Sequence, residues 1–158
     1  YHNLIEKLAI KVHQSGWEFD TILCLARGGM RPGDILSRIF DVPLAIMSTS
    51  SYRDGHGTKQ GHLDIAHYIT TPKGQIAGRV LLVADSGKTL QAVIDMLRAR
   101  YPSITDLRSA VLWTKGISAF TPDYSVEHLP TSPWIHQPFE MYDGMSVQQL
   151  ETRHASSQ

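Results

Sequence analysis

The sequence predicts an α/β fold, a central and mostly parallel sheet flanked by helices. Three observations lead there. Short apolar runs alternate with segments whose apolar residues recur at helical spacing, the pattern of strand–helix–strand units. The runs stop abruptly at small, polar, glycine-bearing turns. A chain of 158 residues, 42% apolar and 19% charged, is the right size and composition for one domain with one buried core.

Taken in order, Leu4, Ile5, Leu8 and Val12 share one face of an amphipathic helix from about His2 to Gln14. Thr21 to Leu25 is a buried strand feeding the turn Ala26-Arg27-Gly28-Gly29. Ile35, Leu36 and Ile39 mark a helix with Pro32 near its first turn, where the missing N–H costs nothing. Pro43 to Met47 is the next strand. Ser48 to Gly61 is polar, holds three glycines and reads as a mobile loop. Leu63 to Ile69 is expected as an antiparallel strand outside the main sheet. Val80 to Val83 is the central strand, and Leu90, Val93, Ile94 and Leu97 follow at i, i+3, i+4 and i+7 as a helix. Leu107 to Trp113 and Tyr124 to Leu129 complete the strands. Residues 1–150 are expected to form a single domain, and Glu151 to Gln158 a frayed tail.

Composition excludes several classes. Formal net charge is zero, so nothing points to nucleic acid or an anionic membrane. No apolar run approaches the roughly 20 residues of a membrane span, and no signal-peptide pattern is present. The start at Tyr1 rather than Met suggests a trimmed N-terminus. The single cysteine, Cys24, cannot form an internal disulfide. Its apolar surroundings suit an inert core thiol in a reducing cytoplasm. His56, His62 and His67 match none of the zinc spacings.

Three turns of special composition follow strands: Arg27-Gly28-Gly29, Asp85 to Thr89, and Thr114-Lys115-Gly116. In a parallel sheet they converge on one crevice at the carboxyl ends of the strands. The second turn is the most telling. A strand, a tight turn Asp85-Ser86-Gly87-Lys88-Thr89 and a helix aim backbone N–H groups at a phosphate, with the hydroxyls of Ser86 and Thr89 added. It is not a triphosphate P-loop, because the first glycine of that pattern falls on Leu82. Ser86 as an ordinary helix N-cap is the plain alternative.

The apolar run with Asp85-Ser86-Gly87-Lys88-Thr89 resembles the 5-phosphoribosyl 1-pyrophosphate (PRPP) motif of type I phosphoribosyltransferases. Three further segments agree in order. Leu25-Ala26-Arg27-Gly28-Gly29-Met30-Arg31-Pro32-Gly33 is similar to the pyrophosphate loop, and Ser50-Ser51-Tyr52 to the start of the flexible catalytic loop. Trp134-Ile135-His136-Gln137-Pro138-Phe139-Glu140 is similar to the purine-binding segment of the xanthine-guanine branch, with Lys115 upstream. The likeness spans roughly residues 20 to 142 and implies a Rossmann-like fold with a small hood. It also implies transfer of a 5-phosphoribosyl group from PRPP to guanine, xanthine or hypoxanthine in purine salvage.

The roles implied are these. Ser86, Gly87, Lys88 and Thr89 hold the 5′-phosphate, and Arg27, Gly28 and Gly29 the pyrophosphate. Lys115 donates to the 6-oxo group, Trp134 stacks on the base and the Ile135 backbone reads its edge. Asp85 faces the purine N7 as a general base. Ser50, Ser51 and Tyr52 close over the reactants. Magnesium is the implied metal, carried mostly by pyrophosphate oxygens and water, with no protein ligand assigned. The resemblance also implies a homodimer or homotetramer with no nucleic-acid partner. A transferase for another nucleobase is the weaker variant.

One feature departs from the family pattern. Two adjacent acidic residues belong after the four apolar ones, yet Val83 runs into Ala84-Asp85, about three residues short. Either the pair is truly missing, which leaves a non-catalytic PRPP- or nucleotide-binding regulator, or the sequence lacks a few residues between 82 and 86. The second explanation is favoured, since every other part is present. A gap of 7–13 Å between consecutive Cα atoms, in place of about 3.8 Å, would support it.

Overall fold

The computed structural model describes residues 1–26, 28–52, 62–65, 69–72, 74–85, 87, 90–115, 121–129, 142 and 144–155, with backbone alone at 49–52, 62–65, 115 and 129. The chain order is α1 (His2–Gln14), β1 (Thr21–Ala26), α2 (Met30–Phe40), β2 (Leu44–Tyr52), β3 (His62–Ile65), β4 (Gly78–Ala84), α3 (Leu90–Arg100), β5 (Ile104–Lys115), β6 (Tyr124–Leu129) and α4 (Val147–Ala155). The strands form one sheet in the order β3-β2-β1-β4-β5-β6. Five strands are parallel, and β3 alone runs antiparallel, against β2.

Period-two alternation assigns each strand residue to a face. Val80, Leu82 and Ala84 of β4 join Leu23 and Leu25 of β1 beneath Leu90, Val93, Ile94 and Leu97 of α3. Leu81 and Val83 turn to the other face, with Ile5, Leu8 and Val12 of α1 and Leu36 of α2. Both faces of the central strands are therefore covered, and Val80 to Val83 are fully buried. That is why these strands read as continuous apolar runs.

Three expectations need correction. The polar stretch from Ser48 does not begin a loop, because β2 continues to Tyr52 through pairs from Thr49↔Ile65 to Tyr52↔His62 with β3. For the same reason β3 is an edge of the main sheet rather than outside it. Residues 151–155 are not frayed but helical. Ser146 and Gln149 form a reciprocal capping box there, Gln149 N–H donating to Ser146 Oγ at 3.1 Å and Ser146 N–H to Gln149 Oε1 at 2.8 Å.

The register of β4 with β5 is one-to-one from Arg79↔Asp106 to Ala84↔Val111, with no irregularity at Val83 or Ala84. Ala84 continues the alternation into the α3-side core. The ladder with β5 thus holds to the last residue of β4.

Candidate functional site

The carboxyl ends of β1, β4 and β5, parallel neighbours, open on one edge of the sheet. The three predicted turns leave these ends. Gly28, Gly29, Asp85 and Gly87 are described there, together with the backbone of Lys115 as the last residue of β5. Arg27, Ser86, Lys88, Thr89, Trp134 and Ile135 lie outside the described residues, as does the segment 53–61 beyond the predicted closing loop.

The turn after β1 is pressed onto β4. Gly29 is buried, and its N–H donates to the Leu25 carbonyl at 2.8 Å. A Cβ on Gly29 would stand 2.7 Å from Leu25 O, 3.0 Å from Leu25 N and closer still to the Val83 carbonyl. All three atoms are backbone, so only hydrogen fits. Helix α2 starts at once, with Gly33 N–H donating to Gly29 O at 2.9 Å and no acidic residue in its first turn. Its N-terminal N–H groups and partial positive charge stand beside the turn, an arrangement that favours an anion.

Gly28 meets the other turn. A Cβ there would lie 2.5 and 2.8 Å from the two carboxylate oxygens of Asp85. The two predicted anion turns are therefore in contact, glycine against carboxylate. Register accounts for this. Cys24 pairs with Val83, so two steps further Asp85 is level with Ala26, just below Gly28.

Lys115 and Ser50–Tyr52 occupy different heights. Ala84 pairs with Val111, so Lys115 lies three residues beyond the level of Asp85, about 10 Å along the strand. Ala26 pairs with Ser48, so Ser50, Ser51 and Tyr52 project past the end of β1 and flank the crevice.

Sequence reasoning missed Tyr1. Its hydroxyl is buried, and burial together with the nearby Asp85 carboxylate pushes the phenol up to about 12, against an opposing pull from Arg31. Tyr1 and Arg31 thus share the surroundings of Asp85, from the starts of α1 and α2. Arg31 falls within the quoted pyrophosphate-loop segment, but no motif marks Tyr1, because its nearness to Asp85 depends on how α1 packs across α2. Cys24 is buried, and desolvation raises its thiol to about 11, which disfavours the thiolate that nucleophilic attack requires.

Among the described residues no three His, Cys, Asp or Glu side chains converge on a metal position. Asp85 offers hard carboxylate oxygens at the crevice, which suit one corner of a magnesium shell completed by ligand oxygens and water. No helix among the described residues is long and apolar enough to cross a membrane. Of two described cavities of about 460 Å³, neither is lined by Gly28, Gly29, Asp85 or Gly87. One is at the foot of the sheet, beside Trp17, Phe19, Phe40 and the Asp20–Arg79 pair, and the other is between α2 and β2.

Residues 1–143 match the family model described as the phosphoribosyl transferase domain. A purine phosphoribosyltransferase from Pyrococcus horikoshii Ot3 superposes with a TM-score of 0.65 at 28% identity, over 86% of this chain and 92% of its own. The Helicobacter pylori xanthine-guanine-hypoxanthine phosphoribosyltransferase gives a TM-score of 0.70 at 22% identity, over 95% of this chain and 92% of its own. A Neisseria gonorrhoeae hypothetical protein with bound ppGpp gives 0.66 at 20% identity, over 99% of this chain and 92% of its own.

Proposed function

The chain belongs to the phosphoribosyltransferase family, and from that premise we propose that it transfers the 5-phosphoribosyl group of PRPP to a 6-oxopurine in purine salvage. Guanine, xanthine and hypoxanthine are the candidate acceptors. The observation that carries this reading is the joined pair of turns, in which Gly28 and Gly29 seat against Asp85 and the end of β4 beside the start of α2. The Pyrococcus horikoshii relative, a purine phosphoribosyltransferase, supports the acceptor class.

In the reaction the bond from ribose C1 to the pyrophosphate oxygen breaks, and pyrophosphate leaves with the electron pair. A purine nitrogen bonds to C1, and the ring proton it releases passes to the Asp85 carboxylate as general base. Negative charge grows on the leaving group, so the main contribution of the chain is positioning and charge stabilisation. Arg27 and the N–H groups of the Gly28–Gly29 turn receive the pyrophosphate. Ser86, Gly87, Lys88 and Thr89 hold the 5′-phosphate. Lys115 donates to the 6-oxo group, Trp134 stacks on the base and the Ile135 backbone reads its edge. Ser50, Ser51 and Tyr52 lead into the cover that excludes water. Magnesium, when bound, adds positive charge to the pyrophosphate. A homodimer or homotetramer working in the cytoplasm completes the proposal.

One observation favours a second reading, a nucleotide-binding regulator of the same fold: β4 ends at Ala84 and a single Asp85 follows in place of an acidic pair. The ppGpp bound to the Neisseria gonorrhoeae protein illustrates such a ligand. Incubation of the chain with PRPP, magnesium and each radiolabelled base separates the two. Nucleotide formed from at least one 6-oxopurine supports the transferase. Nucleotide binding without turnover of any base supports the regulator.

A further inference from the structure

We propose that the cavity at the foot of the sheet binds a small organic cation, an arylalkyl ammonium, between its aromatic wall and the Glu18 carboxylate. The site lies at the opposite end of β1 from the crevice and does not depend on the phosphoribosyl reading.

Shape comes first. The cavity measures about 460 Å³ and lies where α1 and α2 end and β1 and β4 begin. That volume suits a small molecule. Its apolar wall is three rings in series. Trp17 and Phe19 have centroids 5.4 Å apart, and Phe40 meets Phe19 edge-on at 5.1 Å. All three rings are only partly buried, so they offer apolar surface that a ligand can cover. Asp20 directly precedes β1 and Ala26 ends it, which separates cavity from crevice by about 20 Å of strand.

Charge comes second and selects the sign. Asp20 and Arg79 neutralise each other, the Arg79 N–H donating to one carboxylate oxygen at 2.8 Å and the guanidinium standing 3.4 Å from the other. Glu18 is exposed on the rim and forms no ion pair among the described residues. Both helices end at the cavity, with Gly16, Phe40 and Val42 in its wall, and helix C-termini carry partial negative charge. Ring faces attract cations too. Trp17 already holds one, the Arg108 guanidinium 4.7 Å from its ring centroid. The Asp106 carboxylate, which accepts from Trp17 Nε1 at 2.8 Å, offsets that charge. The excess at the cavity is therefore negative and adjoins an apolar wall, the complement of an ammonium group on an aromatic body.

The probes are 2-phenylethylammonium, 2-phenylethanol and phenylacetate, which share a ring and differ in charge. Each is titrated into the full chain by calorimetry and by ¹H–¹⁵N NMR. His13 on the rim adds positive charge only when protonated, so the titrations are run at pH 8. The ammonium binds about fivefold more tightly than the alcohol, from an exposed ion pair and ring contact together, and phenylacetate binds most weakly. Its binding shifts the Trp17 indole N–H signal, which Trp17→Phe identifies. Glu18→Gln weakens the ammonium about threefold and leaves the alcohol unchanged. Phe40→Leu keeps an apolar wall but removes a ring face, and it weakens the ammonium more than the alcohol. Circular dichroism establishes that each variant is folded, and the comparison of the three probes on wild type needs no variant.

Four results overturn the proposal: no binding of the ammonium, equal affinity for ammonium and alcohol, an ammonium affinity unchanged in Glu18→Gln, or an unmoved Trp17 indole signal. Complete displacement of the amine by PRPP also overturns it, because that places the amine in the crevice.

Discussion

Adjacent glycines 28 and 29 face different obstacles, and the difference sets their substitution costs apart. In Gly29→Ala the new methyl group collides with the Leu25 backbone N and O and with the Val83 carbonyl. None of these can rotate away. The turn must lift from β4, or β1 and β4 must part where Cys24 pairs with Val83. Overpacking of this kind costs about 3 kcal/mol, the upper end of the usual range. For a domain of this size that lowers Tm by about 6–12 °C.

In Gly28→Ala the obstacle is the carboxylate of Asp85, the end of a side chain that can turn aside. Leaving its rotamer costs about 1 kcal/mol. Neither glycine has a positive φ, so backbone strain adds nothing to either case. Thermal unfolding of the two variants at matched concentration is the assay. Gly29→Ala should melt several degrees below Gly28→Ala. Equal melting temperatures, or the reverse order, would refute the argument that the turn is clamped on β4 through Gly29.

Hydrogen bonds from the Arg79 N–H (2.8 Å) and guanidinium hold the Asp20 carboxyl below the usual range. Stability from this pair is present above the unfolded carboxylate pKa and is lost as pH falls through the folded one. Asp20→Asn therefore shows a shallower acid limb in urea unfolding, with less than about 1 kcal/mol lost at pH 7 because the pair is half exposed. Cys24 runs the other way. Its thiol is raised from 9.0 to about 11, so its contribution is complete below pH 9 and lost as pH rises through 11. Cys24→Ala flattens that alkaline limb, and the wild-type thiol resists a disulfide reagent at pH 8 until the protein unfolds. Lys115→Ala weakens base binding by about 1.5–3 kcal/mol, the range for a hydrogen bond to a charged group, while PRPP binding is retained. Equal loss of both ligands in competition titrations contradicts its base-side role.

The legible parts of the sequence were those governed by local pattern. Val80 to Val83 and the i, i+3, i+4, i+7 series from Leu90 predicted β4 and α3, because burial on both faces requires apolar runs and helix packing requires a stripe. The extension of β2 through Ser50, Ser51 and Tyr52 was not legible. These residues are held by a ladder to His62–Ile65, a partner with no distinctive pattern of its own. Helix α4 lacks any buried residue, so no apolar stripe signalled it. The Ser146–Gln149 capping spacing could have. In the site, the convergence of turns was predictable from strand–helix alternation. Contact between Gly28 and Asp85 was not, because it depends on the register of β1 with β4, which no short segment encodes.

The central claim is chemical, and ³¹P NMR of PRPP with the chain, magnesium and a 6-oxopurine tests it most directly. The account predicts that the PRPP resonances give way to pyrophosphate and a nucleoside 5′-monophosphate in equal amounts, and only when base is present. Unchanged PRPP with guanine, xanthine and hypoxanthine alike, or its decay at the same rate without base, would contradict it.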